Sequence, residues 1–218
     1  MPIGRDSGPV RDLVHLTSAE SRRVPWRNGG GVTEELAVWP AGATFERGDF
    51  DARISKASVA TAGPFSEFAG FDRVLVVTGG EGLVLDHGGR APTATVRRLA
   101  PYAFAGEWTT SATLLGGAVT DFNVIVRRGR VGAEVRVLDL TRADDVSESL
   151  GAGDAFVHVL AGDVAAYAPG AAAPLVLTRG DSLRLGPGRR SDALELVRTA
   201  GDPSGACIAL LVRLTPAP

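Results

Sequence analysis

The chain has 218 residues, 44% of them hydrophobic and 22% charged, which supports a folded globular protein and excludes a disordered one. Its formal net charge of −2 gives no broad basic field, so nucleic-acid binding by electrostatics is not expected; the pairs Arg22-Arg23, Arg97-Arg98, Arg127-Arg128 and Arg189-Arg190 stand among acids and read as solvated surface. The single cysteine, Cys207, rules out an intrachain disulfide and sits in an apolar run (206–212) as a small buried hydrophobe.

Residues 1–10 contain Gly4, Gly8 and Pro9 and read as a frayed terminus, without the basic segment and apolar core of a signal peptide. No apolar run reaches membrane-spanning length, so a cytoplasmic location is expected. Residues 13–16 form a short strand. Next comes Val24-Pro25-Trp26-Arg27-Asn28-Gly29-Gly30-Gly31-Val32-Thr33-Glu34-Glu35. Asn28-Gly29 marks a turn, and three glycines strip the backbone of side chains, which permits φ > 0 and close approach of a ligand or strand. A ring, a cation, an amide, a hydroxyl and a carboxylate surround this bare loop. Strands are expected at 32–39, stopped by Pro40-Ala41-Gly42, and at 50–59. Phe65, Phe68 and Phe71 have a helical spacing, but Pro64 and Gly70 favour a loop with aromatic anchors. Asp72-Arg73 reads as a structural pair.

A strand at 73–78 leads through Gly79-Gly80-Glu81-Gly82, read as a hairpin turn, into residues 83–85. His87, in Asp86-His87-Gly88-Gly89, reads as an exposed turn residue. Further strands at 94–99, 112–118 and 122–127 close the first half, and Gly129-Arg130-Val131-Gly132 reads as a hinge. The second half repeats the theme: 156–164 parallels 74–80, and 175–183 parallels 96–102. A period of about 80 residues suits a duplicated small β-barrel rather than a solenoid. Many short strands with Gly/Pro turns indicate an all-β sandwich or barrel. Only 142–150 suggests a short helix. The division expected is 1–130, carrying the pocket, and 131–218, mainly structural.

His15, His87 and His158 are scattered and form no His-x-His, so an imidazole metal site is not expected, nor any cofactor. No G-x-S-x-G elbow occurs, and the glycines at 79–82 precede a strand, so they do not form a phosphate loop. Two strands carry polar stripes at sheet spacing: Asp51, Arg53 and Ser55; and Asp121, Asn123 and Arg127 with Ile125 between. In an open sheet these stripes face water. In a small barrel they turn inward and line a cavity.

Pro25-Trp26-Arg27-Asn28-Gly29-Gly30-Gly31-x-Thr33-x-Glu35 resembles the signature of the HutD/Ves family. Phe50-Asp51-Ala52-Arg53-Ile54-Ser55, Gly63-Pro64-Phe65-Ser66-x-Phe68-x-Gly70-x-Asp72-Arg73 and Asp121-Phe122-Asn123-Val124-Ile125-Val126-Arg127-Arg128 continue the resemblance in order. It implies an all-β double cupin (bicupin), two small barrels in one chain, associated with histidine utilisation or stress response and with no established reaction. It also implies inward-facing stripes. Arg53 and Arg127 would then grip a carboxylate. Asn28, Thr33, Ser55 and Asn123 would fix amide or hydroxyl groups, and Trp26 would form a wall. Gly29 and Gly30 would let the backbone approach, and Glu35 and Asp121 would neutralise the arginines. The partner expected is a small anionic metabolite such as N-formylglutamate, bound by a monomer or homodimer as a regulatory sensor. The alternative is an enzyme using Glu35 or Asp121 as general base.

Overall fold

The computed structural model describes residues 11–25, 31–199 and 205–217. In chain order, β1 (Leu13–Leu16) is followed by β2 (Arg22–Pro25), β3 (Gly31–Trp39), β4 (Ala52–Val59), β5 (Gly63–Pro64), β6 (Phe71–Gly79), β7 (Gly82–Asp86), β8 (Ala94–Arg97), β9 (Tyr102–Ala105), β10 (Ser111–Leu114) and β11 (Val119–Arg127). The second run is β12 (Val131–Asp139), β13 (Asp145–Ser149), β14 (Asp154–Ala161), β15 (Val164–Tyr167), β16 (Leu175–Leu177), β17 (Ser182–Leu185), β18 (Ala193–Arg198) and β19 (Ile208–Pro216). Among the described residues the only helical element is a 3-10 turn, Ser18–Glu20. The segment that suggested a helix is β13: it pairs along its length with β18, and that long-range ladder overrides its local preference.

The chain divides into two compact units, Ser21–Ala133 with the last residues from Ala217, and Glu134–Pro216 with the residues up to Glu20. The N-terminal strand therefore leaves the half that chain order assigns it to: β1 pairs antiparallel with β17. Each unit is a pair of sheets of jelly-roll kind rather than a closed barrel. In the first, the sheet β2-β3-β4-β11-β6-β9 accompanies β5-β10-β7-β8; in the second, β1-β17-β14-β19-β12 accompanies β13-β18-β15-β16. The orders β4-β11-β6-β9 and β12-β19-β14-β17 match strand for strand, as do β5-β10-β7-β8 and β13-β18-β15-β16. The repeat read from sequence is thus a duplication of topology.

Gly80 (φ +83°) and Gly162 (φ +73°) hold equivalent positions, where the chain passes from one sheet to the other. The residues at 79–82 are thus a crossing between sheets, since β6 pairs with β9 and β11 whereas β7 pairs with β8 and β10. A Cβ at Gly80 would lie 2.7 Å from the Ala118 carbonyl oxygen, so both space and backbone require glycine there.

Alternation along the strands builds both cores. In the first unit, Ala57, Val59, Leu75, Val77 and Val119 of the larger sheet meet Leu83, Leu85, Val96 and Ala112 of the smaller one. In the second, Ala155, Val157, Val159, Ala209 and Leu211 meet Val164, Ala166, Leu177, Leu194 and Leu196. The two units differ at the positions that matter. Arg73, Asp121 and Asn123 occupy the ladder positions held in the second unit by Ala155, Ala209 and Leu211. One copy of the fold has an apolar centre where the other has a polar one.

Candidate functional site

The polar centre lies on one face of β3, β4, β11 and β6. Antiparallel pairing sets the residues in rows: Arg53–Ile125–Arg73, then Glu35–Ser55–Asn123–Leu75, then Thr33–Ala57–Asp121–Val77. A bulge between Glu35 and Ala37 makes the arrangement possible. The extra residue, Leu36, lets Thr33 and Glu35 face inward while Ala37 and Trp39 remain buried beside Ile54 and Ala52 on the opposite face. Of these, Thr33, Glu35, Arg53, Ser55, Ala57, Arg73, Asp121, Asn123 and Ile125 line a cavity of about 580 Å³, bounded further by Phe45, Pro64, Phe65, Ser66 and Phe68. That volume suits a small metabolite.

Arg73 dominates the interior. It is 5% exposed, and its guanidinium carbon lies 5.0 to 5.3 Å from the ring centroids of Phe104, Phe65 and Phe68. Its Nη2 donates to Asn123 Oδ1 at 2.8 Å and its Nη1 to the Ser66 carbonyl at 3.2 Å. Its Nε has no hydrogen-bond partner among the described residues. Asn123 in turn donates through Nδ2 to Asp121 Oδ1, and the other oxygen, Asp121 Oδ2, has no partner among the described residues either. Asp121 is fully buried. Burial raises its carboxyl from 3.8 to about 7, against the opposing pull of Arg73 and the Asn123 hydrogen bond. Burial likewise lowers Arg73 to about 10; Asp121 opposes that shift and the second cation, Arg53, adds to it, so the guanidinium stays charged at neutrality.

Arg53 is held by Glu35 through an Nε–Oε2 contact of 2.8 Å, and it lies 4.8 Å from the Phe45 ring centroid. At the rim, Arg22 and Glu46 approach to 3.4 Å, both more than half exposed, a pairing that water screens to little net energy.

The sequence-derived residues thus separate. Thr33, Glu35, Arg53, Ser55, Asp121 and Asn123 line the cavity. Trp26, Asn28, Gly29 and Gly30 lie outside the described residues. Arg127 does not line it. It sits one row beyond Arg73 and Ile125, bonded to Asp51 Oδ1 at 3.0 Å and to the Gly48 and Phe50 carbonyls, with Phe71 beneath it at 4.6 Å. Asp51 is therefore Arg127's partner, and Glu35 serves Arg53. Asp72-Arg73 is not a pair: Asp72 faces outward to Arg128, and Arg73 faces inward. The signal for Arg73 was its phase with Phe71, Leu75 and Val77, the buried positions on the inward face of β6.

No group of three or more His, Cys, Asp or Glu residues placed to hold a metal occurs among the described residues. His15 lies 3.5 Å from Asp181, and His158 Nδ1 contacts Ser182 Oγ at 2.9 Å. His87, read as an exposed turn residue, is fully buried. Its ring bonds Thr110 and Tyr102 at 3.0 Å each and packs on Tyr102, Phe104 and Trp108.

The HutD family model matches residues 18–201. An uncharacterised 21.2 kDa protein of Pseudomonas putida, described by its place in the hutC 3′ region, is 37% identical over 136 residues, which span 61% of this chain and 67% of that protein. Protein Ves of Citrobacter koseri is 41% identical over 124 residues, 55% of this chain; the match spans 62% of the Ves protein, somewhat under two thirds of its length. Among solved structures, HutD from Pseudomonas fluorescens SBW25 in a formate condition is 28% identical with a TM-score of 0.75, covering 95% of this chain and 100% of that one. A cupin 2 conserved barrel domain protein from Leptotrichia buccalis, 12% identical with a TM-score of 0.51 over 89% of this chain and 96% of its own, shares the fold alone.

Proposed function

For this chain, which belongs to the HutD family and has its cupin-like all-β fold, we propose that the cavity of the first unit is a receptor for a small carboxylate. The observation that carries the reading is Arg73. A guanidinium buried among three phenylalanine rings, bonded to an amide and a carbonyl but to no carboxylate, and with one N–H unpartnered, is costly to desolvate. A ligand carboxylate drawn between Arg73 and Arg53 supplies the missing charge-assisted hydrogen bonds. Among the described residues no imidazole or thiolate lines the cavity, and the reading uses the two arginines. The biological reading is a cytoplasmic sensor of a carboxylate intermediate in histidine utilisation, N-formylglutamate being the compound the family resemblance suggests. The hutC-region description of the Pseudomonas putida relative supports that setting.

The test is calorimetric titration with short monocarboxylates and N-formylglutamate against the wild type, Arg73→Met and Arg127→Ala. Binding that survives Arg127→Ala and weakens at least tenfold in Arg73→Met is expected, since a hydrogen bond to a charged group contributes about 1.5 to 3 kcal/mol. Carboxylates that bind Arg73→Met as well as they bind the wild type would remove the basis for the proposal.

A second reading, proton-transfer catalysis, is favoured by Asp121 alone. A carboxyl held near 7 in the wall of a cavity is poised to act as general base or acid. Glu35, paired with Arg53, is already engaged as a counter-ion. Recovery of every bound ligand unchanged, without deuterium uptake from heavy water, would count against catalysis.

A further inference from the structure

The floor of the cavity holds two unsatisfied polar atoms of opposite kind, not one. Arg73 Nε is a donor and Asp121 Oδ2 is an acceptor, and neither has a partner among the described residues. They stand at the two ends of a relay in which Asn123 accepts from Arg73 through Oδ1 and donates to Asp121 through Nδ2. Both ends of the Asn123 amide are thereby committed, which fixes its orientation and the separation of the two unpartnered atoms. Along the sheet, Arg73 starts from the Ile125 row and Asp121 from a row two inward positions away, with Asn123 between them.

The surroundings of Asp121 differ from those of Arg73. Its row neighbours are Ala57 on β4 and Val77 on β6, with Thr33 beyond on β3. The charged groups of the cavity interior are Arg73 from β6, Arg53 from β4 and Glu35 from β3. Ala57 is small, so the cavity reaches this row. The chemistry of such an end follows from its state. A carboxyl that titrates near neutrality either accepts a hydrogen bond or donates one. A ligand group that can do both, a hydroxyl or an amide, satisfies Asp121 in either form. A methyl group leaves the oxygen unsatisfied, and a second carboxylate places like charge against Asp121 and Glu35.

Resting on the carboxylate reading above, we propose that Asp121 forms a second subsite that reads the far end of the ligand. The pocket then prefers a carboxylate whose other end is a hydroxyl or amide to one that ends in a methyl group or in another carboxylate, and N-formylglutamate, a dicarboxylate that also bears a formamide, fits it only with the formamide at Asp121. Arg73 and Arg53 set where the ligand carboxylate sits, Asn123 sets the spacing, and Asp121 sets the identity of the distal group. The second unit, with alanine and leucine at the equivalent positions, carries neither end of this device.

The test uses the full chain and three matched sets titrated by calorimetry at pH 8: the plain C4 to C6 monocarboxylates, their ω-hydroxy acids, and the dicarboxylates of the same length. The expected result is that the best ω-hydroxy acid binds at least tenfold more tightly than the best plain acid and the best dicarboxylate. In Asp121→Ala that advantage should fall below threefold while the plain acids still bind. Plain acids binding the wild type as tightly as the ω-hydroxy acids at every length would overturn this subsite and leave the carboxylate reading standing. Absence of binding by any acid in the series would overturn both. The wild-type comparison decides the matter even if Asp121→Ala fails to fold.

Discussion

Replacing Asp121 by asparagine should make the protein more stable, and by an amount that grows with pH. Asp121 is fully buried, and its carboxyl is raised from 3.8 to about 7, chiefly by desolvation. The native state therefore holds a proton that the unfolded chain has released between those two values. Because the native state binds more protons there, stability falls as pH rises through the interval, and above the folded value the full penalty remains. About three pH units at 1.36 kcal/mol each is about 4 kcal/mol, of which about 3 kcal/mol is incurred between pH 5 and pH 8. The substituted asparagine would be neutral at every pH and would keep a group able to meet the Asn123 amide. Urea denaturation of both proteins at pH 5, 6, 7 and 8 measures the difference directly. Titration of other groups, including Arg73, Arg53 and Glu35 around the same cavity, largely cancels in the subtraction. The variant should gain on the wild type steadily up to about pH 7 and then level off. A difference that stays flat from pH 5 to pH 8 would show that Asp121 does not change charge there, and the reasoning about its burial would be wrong.

Arg73 and Arg127 should behave oppositely. Arg73→Met should weaken carboxylate binding by at least tenfold, whereas Arg127→Ala should lower the melting temperature and leave affinity within twofold, because Arg127 ties Asp51 to the Gly48 and Phe50 carbonyls outside the cavity. Equal loss of binding in both variants would contradict this assignment. Burial lowers the pKa of His87 below 6.5, so the unfolded chain takes up a proton first on acidification, and this residue's contribution to stability is lost as pH falls from 6.5 toward the folded value. Ring-proton NMR should find His87 titrating below 6.5; titration at or above that value would mean that its packing against Tyr102, Phe104 and Trp108 does not exclude the charged form. Gly80→Val should destabilise the first unit severely, since the position holds a positive φ that a β-branched residue resists and the added Cβ would meet the Ala118 carbonyl oxygen; a melting temperature unchanged within error would refute the strain argument.

Strand alternation by itself determined a great deal of this protein. It marked an all-β chain, and it set Arg53 with Ser55, and Asp121 with Asn123, on one shared face of each strand, because side chains along a strand alternate strictly between its two sides; that this face turns inward was implied by the family resemblance and is seen in the fold. Parity gives the face, however, and not the depth. Arg73 and Arg127 both have inward parity, and only the pairing Arg73↔Ile125 and Arg127↔Phe71 decides which of them lies in the cavity and which lies one row outside it. The same limit explains His87. The glycines after it suggest an exposed turn, yet it continues the inward series Leu83, Leu85, and the smaller sheet carries it into a cluster of rings. The bulge at Leu36, which turns Glu35 toward Arg53, depends on how β3 registers against β4 and leaves no local mark. The partners of the buried charges were settled in the same way. Which acid neutralises which arginine depends on distances across strands far apart in the chain, so Glu35 with Arg53, Asp51 with Arg127 and the Arg73–Asn123–Asp121 relay exist only in the tertiary structure.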